Sequence, residues 1–104
     1  MFGLFGKSQF ESIGVNELSS INGKISVIDI REPYECSRGM LKIAKNIPMG
    51  QLLTEPDKYL KKEQKYYIVC QSGGRSSQAC NTLSKQGFQV INVLGGMGSY
   101  QGKL

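Results

Sequence analysis

The chain has 104 residues, 39% hydrophobic and 20% charged, an ordinary globular composition and enough length for one domain with a buried core. The net charge of +5 suits an anionic substrate or an acidic partner. The cations, however, cluster only modestly at Arg38-Lys42-Lys45 and Lys58-Lys61-Lys62-Lys65, without a zinc finger, an RNA-binding signature or a long basic helix, so no nucleic-acid partner is expected. With no histidine the chain supplies no Ser-His or Cys-His pair and no histidine metal site, and three cysteines without a CxxC pair argue against a disulfide framework or a cysteine zinc site and fit a reducing compartment.

The whole chain, residues 1–104, reads as a single domain without repeats. Its start, MFGLFG, is apolar for only six residues with no basic residue before it. That is too short for a signal-peptide core or a membrane span. Residues 1–10 are therefore expected to be a flexible end or a short segment docking on the domain, and the protein to be soluble and cytoplasmic with no membrane partner.

Asn16 is a plausible N-cap for a short helix through Ile21. Lys24 to Ile30, KISVIDI, is a β-branched run and predicts a buried strand. Pro33 to Cys36 places proline in a first helical turn, and Pro48 to Leu53 and Pro56 to Leu60 repeat that pattern. Between them, Ala44 to Ile47 predicts a further short strand. Tyr66 to Cys70 and Gln89 to Leu94 are two more runs of buried-strand length. From Ser76 to Gln86, Ala79, Cys80 and Leu83 fall at helical spacing, and Gly87 stops the helix as a left-handed cap. Short strands alternating with helices predict an α/β domain with a small, mostly parallel central sheet.

The stretch that asks for chemistry is CQSGGRS, Cys70 to Ser76. It lies at the carboxyl end of one predicted strand and the amino end of the following helix, which is expected to start near Arg75 or Ser76, where sites form in parallel α/β sheets. Gly73 and Gly74 let the backbone curl, so that amides from Gln71 to Ser76 can point inward as an anion-binding nest at the positive end of the helix dipole. Such a nest favours a Cys70 thiolate without any general base. Ser72 and Ser76 can donate to the sulfur or to an incoming anion. Arg75 has two readings, a contact to the substrate or a salt bridge to Asp29, Glu32 or Glu35. Cys80 lies on the apolar stripe of its helix and reads as core. Cys36 reads as a small core filler or as a second thiol that accepts sulfur or forms a disulfide.

These residues carry a family resemblance. Val27 to Glu35, VIDIREPYE, resembles the "VIDVREPxE" segment of single-domain rhodanese-like sulfurtransferases. Asn46-Ile47-Pro48 resembles their "NIP", Cys70 to Ser76 their "CxxGxRS" loop, and Gly95-Gly96-Met97 their closing "GGM". The match runs from about Ile13 to the C-terminus. It implies the rhodanese-like fold and a transferable sulfur carried as a persulfide on Cys70. An anionic donor such as thiosulfate or a protein persulfide loads the sulfur, and cyanide or a protein thiol removes it. By position, Asp29 and Arg31 would brace the loop. No metal or organic cofactor is implied. Two departures stand out: Met40 follows Gly39 where the family often has histidine, and Tyr100 replaces a usual tryptophan.

Two rivals remain. One is a non-catalytic rhodanese-like sulfur carrier or interaction module. The other is a cysteine phosphatase or arsenate reductase, whose CxxxxxR loop has five residues between cysteine and arginine. Here only Gln71, Ser72, Gly73 and Gly74 intervene, one residue fewer, which shrinks the cradle and disfavours that reading.

Overall fold

A computed structural model describes residues 10–104. The expected N-terminal segment lies outside the described residues apart from Phe10, which packs against the core. Five strands form one sheet: β1 (Glu11–Gly14), β2 (Ser26–Asp29), β3 (Ala44–Asn46), β4 (Lys65–Val69) and β5 (Gln89–Leu94). All pair in parallel, in the order β1-β5-β4-β2-β3. The helices are α1 (Pro33–Cys36), α2 (Met49–Thr54), α3 (Pro56–Tyr59) and α4 (Gly74–Lys85), with 3-10 turns at Val15–Ser20 and Met97–Ser99.

The strand pleat sorts side chains onto two faces. In β4 and just beyond it, Tyr66, Ile68 and Cys70 join the cluster under α4, with Ala79, Cys80 and Leu83. Tyr67 and Val69 point the other way, toward Val15, Leu18, Leu41 and Val93. Both faces are covered, which is why the strands read as continuous apolar runs rather than alternating ones. Each fully buried aliphatic side chain, such as Ile68 or Leu83, contributes about 1.5–3 kcal/mol against exposure.

The expected α/β architecture is observed, with three corrections. The edge strand β1 was not expected; its sequence ESIG is half exposed and carries almost no apolar pattern. Asn16 is not an N-cap, because the turn starts at Val15, two residues earlier than expected, with Gly14 at the cap. Its side-chain amide instead donates to the Ser99 carbonyl (2.9 Å) and its side-chain oxygen accepts from the Gln101 N–H (2.8 Å), tying the two 3-10 turns together. Helix α4 begins at Gly74 rather than near Arg75 or Ser76, while Gly87 does adopt φ +94°, the left-handed stop. Among the described residues no helix is long and apolar enough to cross a membrane.

Candidate active site

Strand β4 delivers the chain to Cys70 between β2 and β5, and α4 leaves from Gly74. Only four residues, Cys70 to Gly73, make the turn. Gly73 achieves it at φ +107°, a conformation costly for any residue with a Cβ. The loop therefore wraps the sulfur instead of passing it. The Gly73 N–H donates to Cys70 Sγ at 3.1 Å and the Ser76 N–H at 3.3 Å. The Cys70 thiol donates to Ser76 Oγ (3.3 Å), whose hydroxyl donates to the Gly73 carbonyl (3.1 Å). Ionisation of the thiol removes that proton and lets the Ser76 hydroxyl turn and donate to sulfur.

Burial opposes the charged form of Cys70, but hydrogen bonds from the Ser76 hydroxyl and from the amides of Ser76, Gly73 and Ser72 outweigh it, so the thiol pKa falls below its ordinary value. The other cysteines shift the opposite way. Burial, joined by the charge of Asp29, pushes Cys36 up; burial, joined by Cys70, pushes Cys80 up to about 12. All three thiols are free. Cys70 itself is 0% exposed, enclosed by its own loop.

A second segment clamps the loop from behind. The Met97 N–H donates to the Cys70 carbonyl (2.9 Å) and the Gly98 N–H to the Gln71 carbonyl (2.8 Å). Gly96, at φ +59°, permits this approach, since a Cβ there would run into the backbone of Cys70 and Gln71. Gln71 thus does not turn its side chain to the sulfur; its Oε1 accepts from Arg31 Nη1 at 3.1 Å. Gly74 and Arg75 are the first residues of α4, and their amides have no acceptor among the described residues.

Asp29 and Arg31 form a buried pair directly behind the loop. Arg31 Nε and Nη2 donate to the Asp29 carboxylate at 2.9–3.1 Å, and Arg31 Nη2 also donates to the Gly39 carbonyl at 2.8 Å. Asn46 fixes the backbone of both, donating to the Asp29 and Arg31 carbonyls (2.8 and 2.9 Å).

Of the acids considered for Arg75, Glu35 is the partner. Both guanidinium prongs reach its two oxygens at 2.8 Å, joining α4 to α1. Glu35 Oε1 also accepts the Glu32 N–H (3.0 Å), closing the first turn of α1. Glu35 was not among the site residues read from the sequence; the only signal was its place as one candidate acid. The hydrogen bonds from Arg75 hold its carboxyl at about 2, below the ordinary 4.5. A depressed folded-state pKa stabilises the fold above the unfolded value and loses that contribution as pH falls through the folded one. The urea midpoint of the wild type is therefore expected to fall more between pH 4.5 and about 2 than that of Glu35→Gln, modestly because the pair is partly exposed and screened. Equal acid profiles would contradict the pairing.

Comparison with known proteins bears on the family and the fold. The family model described as the rhodanese-like domain matches residues 15–103. YtwF of Bacillus subtilis, a candidate sulfurtransferase by name, is 34% identical over 95 residues, covering 91% of each chain. A protein of Allochromatium vinosum named sulfurtransferase is 32% identical over 91 residues, covering 86% of this chain and 84% of its own. The crystal structure of a rhodanese-like domain protein from Staphylococcus aureus superposes with a TM-score of 0.81 at 31% identity, covering 90% of this chain and 94% of that one.

Proposed function

The chain belongs to the rhodanese-like domain family, and on that premise we propose that it is a sulfurtransferase in which Cys70 carries the sulfur as a persulfide. The observation that carries the reading is the pair of backbone N–H groups, from Gly73 and Ser76, aimed at Cys70 Sγ at the start of α4. Fixed amide donors suit a thiolate, and they suit equally the anion of a persulfide.

The transfer takes two steps. The Cys70 thiolate attacks the outer sulfur of the donor; a new S–S bond forms, the donor's own bond to that sulfur breaks, and the leaving group departs with the electron pair. For thiosulfate that group is sulfite, and for a thiol persulfide it is the thiolate. An acceptor such as cyanide or a thiol then attacks the outer sulfur and returns Cys70 as thiolate. These steps consume no cofactor. Three free, buried thiols support a reducing, cytoplasmic setting.

The three cysteines fall on three tryptic peptides, Glu32–Arg38, Tyr66–Arg75 and Ser76–Lys85. After treatment with a sulfane-sulfur donor, the extra sulfur is expected on Tyr66–Arg75 alone. Sulfur on either of the other two instead would move the chemistry to Cys36 or Cys80 and defeat the assignment.

A further inference from the structure

We infer that Glu35 is a specificity-determining residue: by gripping Arg75 with both oxygens it withholds the loop's own cation from the donor, and turns the site toward sulfur borne on an uncharged thiol carrier rather than on a small dianion such as thiosulfate. The inference rests on Cys70 being the sulfur acceptor.

Two guanidiniums stand at the loop, and each is neutralised by a carboxylate. Arg75 spends both prongs on Glu35 at 2.8 Å. Arg31 spends Nε and Nη2 on Asp29, and gives Nη1 to Gln71. These are the only two ion pairs among the described residues, and both lie at this site. Glu35 is not free to swing away, because the Glu32 amide holds its Oε1 (3.0 Å) and Pro33 sets the first turn of α1. What remains to meet an anion at the sulfur is a set of neutral amides. They match the single charge of a persulfide but give a dianion no opposing full charge.

The surface beside the loop suits an organic carrier. A cavity of about 440 Å³ is lined by Arg31, Tyr34, Glu35, Arg38, Gln71 and Leu104, among others. Tyr34 is 70% exposed and Leu104 56%, so the mouth presents apolar surface that thiosulfate cannot use. Arg38 lines the same cavity without an ion pair among the described residues, and its influence needs a separate control.

The test is the ratio of two Cys70 loading rates, from thiosulfate and from N-acetylcysteamine persulfide, whose carrier bears no charge. In Glu35→Gln the thiosulfate-to-persulfide ratio is expected to rise about tenfold. Adding Arg75→Ala to that variant is expected to remove the gain, whereas Arg38→Ala added to it leaves most of the gain in place. An unchanged or lowered ratio in folded Glu35→Gln would overturn the inference, as would a gain that depends on Arg38 instead of Arg75. If Glu35→Gln fails to fold, Glu35→Asp, which shortens the side chain and breaks one prong, is expected to shift the ratio the same way by less. If neither donor loads the wild type, the sulfur-transfer reading itself fails; if both load and the ratio ignores position 35, only the role of Glu35 fails.

Discussion

Cys70→Ser is expected to reduce thiocyanate formation from a sulfane-sulfur donor and cyanide to the uncatalysed background, a loss of more than about a thousandfold. Serine has no accessible alkoxide near neutral pH, no histidine exists in the chain to act as its base, and an alcohol oxygen does not form the persulfide intermediate. The fold should survive. The serine oxygen sits where Gly73 and Ser76 already direct their N–H groups, so the buried hydroxyl is satisfied. The expected change in unfolding free energy is within about 1.5 kcal/mol. Retained turnover in the folded variant would remove Cys70 from the chemistry.

Asp29→Ala is expected to be the most destabilising single change near the site. Asp29 is 0% exposed and Arg31 4%, and the carboxylate takes the Arg31 backbone N–H at 3.0 Å as well as the guanidinium. Alanine leaves a buried guanidinium with no countercharge, a loss of about 3–5 kcal/mol. Equilibrium urea unfolding reads it directly. Asp29→Asn keeps one accepting oxygen and should fall between. The double change Asp29→Leu with Arg31→Met removes both charges together and should recover part of the loss. The same change releases Gln71, whose side chain is held by Arg31, so loading of Cys70 should slow in whatever protein remains folded. An Asp29→Ala midpoint equal to that of the wild type would show that the buried pair contributes nothing to the fold.

How much of this was legible depended on the range of the interactions involved. Strands β4 and β5 were readable because burial on both faces leaves unbroken apolar runs, and α4 because Ala79, Cys80 and Leu83 repeat at helical spacing above them. The loop was readable as a unit because cysteine, glycines and helix start lie within seven residues. Strand β1 was not, since an exposed edge strand needs only its neighbour's backbone and leaves little mark on side-chain choice. The start of α4 was placed one or two residues late because Gly73 caps it by its backbone conformation, not by a side-chain oxygen. The partners of Arg75 and Gln71 lie forty residues away in the chain, at Glu35 and Arg31. No local pattern chooses Glu35 over Asp29 or Glu32; the fold, which brings Glu35 of α1 within reach of Arg75 at the amino end of α4, makes that choice. The same holds for Met97 and Gly98, whose amides anchor the loop from a turn that follows a different strand.

The most direct test of the central claim is the intact mass of the protein after incubation with excess thiosulfate or N-acetylcysteamine persulfide, beside Cys70→Ser treated identically. The expected result is a gain of one sulfur atom in the wild type, lost on adding cyanide and absent in the variant. An unchanged wild-type mass with both donors, or the same cyanide-labile gain in Cys70→Ser, would contradict a sulfurtransferase centred on Cys70.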